Sequence, residues 1–256
     1  MAQNQMSIYD HIGELRKRII IVALYFLVAM IIGLFVAPVL ITYLQNIPEA
    51  ESFPMNVFKL TDSLKLYMNA AFLIGIIIVF PVLLYQLWAF IAPGLREKEK
   101  KVTLGYIPIA TLLFLGGLAF AYFILFPNVI QFLSNLSDRL NLTEQYGVND
   151  YFSFLFQLTI PFGFLFQLPV VIMFLTRLGL VTPAWFRKIR KYAYFGLLVL
   201  AGFITPPEIV SHLMVTVPLL LLYEVSIIIS RFSYRKVLKA EQEDMEEWAK
   251  NKENHK

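Results

Sequence analysis

The chain has 256 residues, of which 58% are apolar and 16% charged, and its mean hydropathy is +0.66. A soluble domain carries roughly 45–50% apolar and about 25% charged residues, so this surplus excludes a single water-facing globule and makes lipid the principal solvent. The absence of cysteine excludes disulfide frameworks, Cys-containing zinc sites, thiol redox chemistry and Cys nucleophiles, while the net charge of +4 is placed as membrane topology requires rather than as a nucleic-acid patch.

In chain order, Ser7 and Asp10 form a capping-box-like start, with Asp in place of the usual Glu, so a helix is predicted to begin near Ile8. Ile8, Ile12, Leu15 and Ile19 make one apolar stripe of a membrane-surface helix, with His11, Glu14 and Arg18 on the neighbouring polar face. Glu14 and Arg18 have the i, i+4 spacing of a surface ion pair. The apolar run that follows exceeds the 7–15 residues of a signal-peptide core and lacks a clear A-x-A site, so it reads as a retained span.

A hydrocarbon core of about 30 Å takes about 20 helical residues. On that measure the chain is predicted to be an all-α integral membrane protein with six spans, at 18–40, 66–91, 104–126, 151–177, 192–205 and 209–230. Residues 1–234 form a single membrane domain, followed by a polar, helical tail at 235–256 with an acidic block from Glu241 to Glu247. The loops from Thr42 to Ser63 and from Asn128 to Asp150 read as solvated connectors. Pro81, Pro108, Pro161, Pro169 and Pro218 fall inside apolar helices and predict a kinked bundle. Span five has about 14 residues, near 21 Å, and turns at Thr205-Pro206-Pro207-Glu208 straight into span six. Either the bilayer thins beside this short hairpin, or the helix is completed by the basic stretch Trp185–Lys191. Phe80–Leu84 and Leu168–Ile172 resemble each other weakly, but run in the same direction and give no inverted repeat.

Three Lys and Arg residues precede span one, four lie between spans two and three, five between four and five, and seven in the tail. The remaining three, Lys59, Lys65 and Arg139, fall on the other side. The positive-inside rule then puts both termini in the cytoplasm, as an even number of spans requires.

Few polar groups enter the spans. Glu224 is the only deep carboxylate, and two readings stand: a partner-binding or proton-sensitive group, or a side chain that snorkels from the end of span six. Gln167, beside Pro169, suits a kinked backbone. In the Arg96–Lys101 block, Glu97 and Glu99 have the spacing of a solvated loop. The chain has no Walker A, G-x-G-x-x-G, H-E-x-x-H or G-x-S-x-G motif, and His11, His212 and His255 are scattered, so neither enzyme, metal nor cofactor is expected.

Several segments resemble, in order, the TatC family, the polytopic component of the twin-arginine protein translocase. They are His11–Arg18, Pro81–Leu95 with its tryptophan, Glu99-Lys100-Lys101, Ala119–Phe123 with Phe126-Pro127, Thr205–Glu208, Tyr223-Glu224 and Ser230–Phe232. The resemblance implies a cupped six-helix fold in the plasma membrane. It also implies a receptor that binds twin-arginine signal peptides of folded precursors at the cytoplasmic face. That receptor would self-associate and recruit TatA/TatB-type single-span proteins for transport driven by the proton-motive force. Carried onto matching positions, Glu14 and Glu99 receive the two arginines, supported by His11, Arg16 and Phe90, while Glu224 and Gln167 become polar docking positions in the membrane. Many family members have Glu where this chain has Gln167, and arginines where Lys100 and Lys101 stand. A proton-coupled small-molecule carrier, with Glu224 as its coupling group, is the alternative, but the chain lacks the polar midplane set that a carrier needs.

Overall fold

The computed structural model describes residues 8–46, 55–95, 97–142, 145–205 and 208–253; side chains at Ile8, Asp10, 97–99 and most positions beyond 235 fall outside it. The predicted Ser7–Asp10 cap, the Pro206-Pro207 turn and the Glu97 and Glu99 carboxylates therefore lie outside the described residues. The chain divides into two compact units, Met1–Gly163 and Phe164–Lys256.

In the first unit, α1 (Ile8–Gln45) and α2 (Asp62–Ile91) pack antiparallel along much of their lengths. Small residues let the backbones approach: Ala29, Gly33 and Ala37, spaced by four, are buried, as are Ala70 and Ala71 opposite them. A Cβ at Gly33 would lie 2.5 Å from the Ala71 carbonyl oxygen, so no other residue fits without separating the helices. Pro38, which the sequence reading did not include among the kink-forming prolines, sits inside α1. It has no N–H for the carbonyl of Leu34 four residues earlier, and the Tyr67 hydroxyl of α2 donates to that carbonyl instead. Asp62 starts α2 by accepting the Lys59 N–H at 2.9 Å.

After a 3₁₀ turn at Ala92–Gly94, α3 (Glu97–Leu104) forms where the sequence suggested a loop, and α4 (Tyr106–Phe120) follows. The predicted third span differs at its end. A π-helical turn, Ala121–Leu125, leads into α5 (Phe126–Arg139), so the helix runs past Pro127 into the predicted outer loop. The wider turn precedes Pro127, whose ring would clash with the carbonyl four residues back. The two connectors, before α2 and after α5, are joined by a parallel ladder of β1 (Met55–Asn56) with β2 (Tyr146–Gly147), pairing Met55 with Tyr146 and Asn56 with Gly147. Helix α6 (Val148–Leu165) brings Gly163 against Phe114 and Leu118, and Phe114 stacks on Phe80 with centroids 3.8 Å apart.

In the second unit, the predicted fourth span is interrupted. Residues 166–167 form a turn, and α7 (Leu168–Arg177) restarts with Pro169 in its first turn, where the missing N–H costs nothing. Gly179, at φ +68°, follows the end of α7: its N–H reaches Thr176 and that of Leu180 reaches Leu175. Thr182 caps the short α8 (Pro183–Lys188), then α9 (Arg190–Ile204) and α10 (Ile209–Glu253) follow. At 15 residues α9 is about 22 Å long, so the basic stretch before it is divided between α8 and the first turn of α9. The predicted tail is continuous with span six, since α10 runs for 45 residues, about 68 Å. Ser211, Val215, Leu219, Ser226, Ile227 and Ser230 form its buried face, and Thr176 of α7 hydrogen-bonds Ser230 at 2.7 Å. Among the described residues five helical stretches are long and apolar enough to cross a membrane: His11–Gln45, Asp62–Gly94, Lys100–Arg139, Val148–Arg177 and Ile209–Arg235.

Candidate functional site

The first polar constellation lies where the beginning of α1 meets the end of α2. One turn of helix separates Glu14 from Arg18, and Arg18 donates to Glu14 Oε1 from both Nε, at 3.1 Å, and Nη2, at 2.5 Å. The same guanidinium donates from Nη1 to Gln86 Oε1 at 3.1 Å and from Nη2 to the Ala89 carbonyl at 3.0 Å. The expected surface ion pair is thus half-buried, each side chain 22% exposed, and is held on α2 as well as α1. Glu14 Oε2 is buried and has no hydrogen-bond partner among the described residues. That oxygen is closed to solvent, so a donor-rich ligand meets the carboxylate at Oε1, where the Arg18 guanidinium now sits.

His11 packs on Phe90 with ring centroids 4.5 Å apart, so two residues implied by the resemblance flank Glu14. Arg16 is exposed on α1 and joins neither contact. Trp88 donates its indole N–H to Thr103 Oγ1 at 3.1 Å, which fastens the end of α2 to α3, the helix that carries residue 99. Below the ion pair an open, nearly apolar groove of about 450 Å³ runs between α1 and α2, lined by Leu15, Ile19, Phe26, Leu83 and Phe90, with Arg18 and Gln86 also on its wall. Sequence reasoning missed Gln86; its one signal was an amide within the otherwise apolar Pro81–Leu95 run.

The second constellation is in the other unit. Glu224 of α10 accepts from Arg190 Nη2 at Oε2 and from the Tyr194 hydroxyl at Oε1, each at 2.6 Å. Tyr223, the neighbour of Glu224, donates its hydroxyl proton to the Phe186 carbonyl at 2.8 Å and meets Tyr194 edge-on. Three elements, α8, α9 and α10, are thereby joined around one carboxylate. Arg190 was counted in the sequence only as a topology charge, and nothing in its basic neighbourhood singled it out. Gln167 is placed away from this cluster in sequence and role, as the residue from which α7 starts: its N–H reaches the Phe164 carbonyl, and its own carbonyl accepts from Val171. No group of three or more His, Asp or Glu among the described residues is arranged to hold a metal ion.

A family model described as "TatC: Sec-independent protein translocase protein (TatC)" matches residues 10–218. The chain is 61% identical over 248 residues to the Sec-independent protein translocase protein TatC of Halalkalibacterium halodurans, covering 97% of this chain and 98% of the other. It is 59% identical over 244 residues to the TatCy protein of Bacillus subtilis, covering 95% and 96%. Among solved structures, a crystal structure of the twin-arginine translocase receptor TatC superposes with a TM-score of 0.79 at 32% identity, over 87% of this chain and 99% of that one.

Proposed function

The chain belongs to the TatC family of Sec-independent protein translocase proteins, and on that basis we propose that it receives twin-arginine signal peptides of folded precursors at the cytoplasmic face of the plasma membrane. It is a receptor and assembly platform rather than a catalyst. The observation that carries this reading is the half-buried Glu14, with an unmatched Oε2, at the start of α1. Glu14 takes one signal arginine and Glu99 on α3 takes the other, with His11 and Phe90 shaping the approach and Arg16 on the adjoining surface. A guanidinium offers a planar fork of donors to a carboxylate, so such a site distinguishes Arg from Lys, which presents only a point charge.

In this reading the chain crosses the membrane six times, with α9 as the short fifth span and both termini inside, consistent with the Lys and Arg asymmetry. Small single-span subunits of the TatA/TatB type dock in the membrane, with Glu224 and Gln167 as polar contacts, and copies of the chain associate in the assembled translocase. The proton-motive force drives transport. The alternative, a small-molecule carrier with Glu224 as its coupling group, is less well supported, since that carboxylate is already engaged by Arg190 and Tyr194. Co-purification of the protein with a twin-arginine reporter and with its twin-lysine variant tests the proposal: retention of the first alone is expected, and equal retention of both would overturn it.

A further inference from the structure

Arg18 already occupies Glu14. Its Nε and Nη2 both donate to Oε1, in the way a ligand arginine would, and the same side chain has two further acceptors within reach, Gln86 Oε1 and the Ala89 carbonyl. The pair is half-buried, and the other carboxylate oxygen is turned inward, out of contact with solvent. A ligand cation therefore meets a carboxylate that is neutralised and partly covered rather than an open negative charge.

We propose that Arg18 is a specificity-determining residue that acts as an internal competitor for Glu14. An arriving guanidinium exchanges like for like: it replaces the donors that Arg18 withdraws, while Arg18 stays satisfied on Gln86 and the Ala89 carbonyl. An arriving lysine brings one compact ammonium, cannot reproduce two converging N–H groups on one carboxylate, and fails to displace Arg18. Discrimination then arises because the wrong cation loses the competition, a repulsive element added to an attractive one. Without Arg18, Glu14 is an open carboxylate that accepts either cation.

This inference rests on the reading of Glu14 as a signal-arginine acceptor, and the test separates the two. The full chain in lipid nanodiscs is titrated with a labelled twin-arginine signal peptide and with its twin-lysine counterpart. The readout is the ratio of the two Kd values on one preparation, which does not depend on the fraction of protein that is active. For Arg18→Gln, which removes the guanidinium and its charge, the ratio is expected to fall about tenfold, mainly through tighter binding of the lysine peptide. Arg18→Met, a second neutral variant, gives the same fall should Arg18→Gln not accumulate. Arg18→Lys, a weaker competitor, lies between wild type and the neutral variants. A ratio unchanged across the three variants overturns the inference, provided that Glu14→Gln weakens the arginine peptide. If Glu14→Gln leaves that peptide's affinity unchanged, the reading of Glu14 falls and the inference with it.

Discussion

Arg190 and Glu224 are 34 residues apart in the chain, yet Arg190 Nη2 lies 2.6 Å from Glu224 Oε2, and Arg190 Nε is buried without a partner of its own among the described residues. The charge that is costly in lipid is therefore matched within its own unit, by a cation that the topology count alone assigns to the cytoplasmic loop. Helix α9 is too short to span about 30 Å unaided, and its first residue is the cation that ties it to α10.

The pair predicts unequal outcomes at Glu224. Glu224→Gln keeps the acceptor for Tyr194 and should retain most transport if the role is polar docking; if titration matters, it fails. Glu224→Leu strands Arg190 and should lose about 1–3 kcal/mol of stability together with transport. Exchanging the charges, Arg190→Glu with Glu224→Arg, should recover part of the stability in thermal unfolding. Full export by the Leu variant would return Glu224 to a snorkelling side chain.

At the proposed signal-peptide site, Glu99→Ala should weaken peptide binding by about ten- to a hundredfold at unchanged protein abundance, the loss of one charge-assisted partner worth about 1.5–3 kcal/mol. Glu97→Ala, on the same short helix, should have much less effect. Equal losses would assign recognition to the general charge of α3, and not to one carboxylate.

The absence of cysteine makes the orientation directly testable. A single Cys at Asn141, in the turn after α5, should react with an impermeant reagent added from outside, and one at Lys98 should not. The reverse pattern would invert the membrane topology.

Tyr67→Phe deletes only the hydroxyl that satisfies the Leu34 carbonyl freed by Pro38. A carbonyl left unpaired in apolar surroundings costs about 1–3 kcal/mol, so the apparent Tm should drop. Tyr67→Phe combined with Pro38→Ala, which restores the N–H to the helix, should lose less than Tyr67→Phe alone. Identical Tm values for wild type and Tyr67→Phe would show that the hydroxyl is not needed there.

Glu208 caps α10: Oε2 accepts the Ser211 N–H at 3.0 Å and the Ser211 hydroxyl at 2.8 Å, and Oε1 accepts the Val210 N–H at 3.4 Å. The Ser211 N–H, first among these donors, holds the carboxyl below its usual value of 4.5. A carboxyl whose pKa is lower folded than unfolded stabilises the fold above the unfolded value, and that contribution disappears as pH falls through the folded value. Amide exchange at the first turn of α10 should therefore quicken, relative to intrinsic rates, as the solution is acidified through that range. Glu208→Gln should remove this pH dependence; an unaltered profile would show that the carboxylate does not cap the helix.

Much was legible before any tertiary structure, because lipid imposes its demands locally. Apolar runs of sufficient length, the uneven Lys and Arg, the spacing of Glu14 and Arg18, and the solitary depth of Glu224 are properties of the chain read in order, and each follows from helix periodicity or from the cost of charge in hydrocarbon. What folding decided was partnership across the chain. Gln86 meets Arg18 from 68 positions away, Tyr67 meets the carbonyl that Pro38 left open, and Arg190 meets Glu224. Helix boundaries shifted for the same reason. The helix continues past Pro127 through a π turn, while the chain breaks before Pro169, although both prolines follow apolar residues. A proline's local effect is fixed at a missing N–H and a forbidden contact. Whether the backbone bends, widens or restarts around it depends on which neighbouring groups can satisfy the carbonyls it frees, and only the packed structure supplies those.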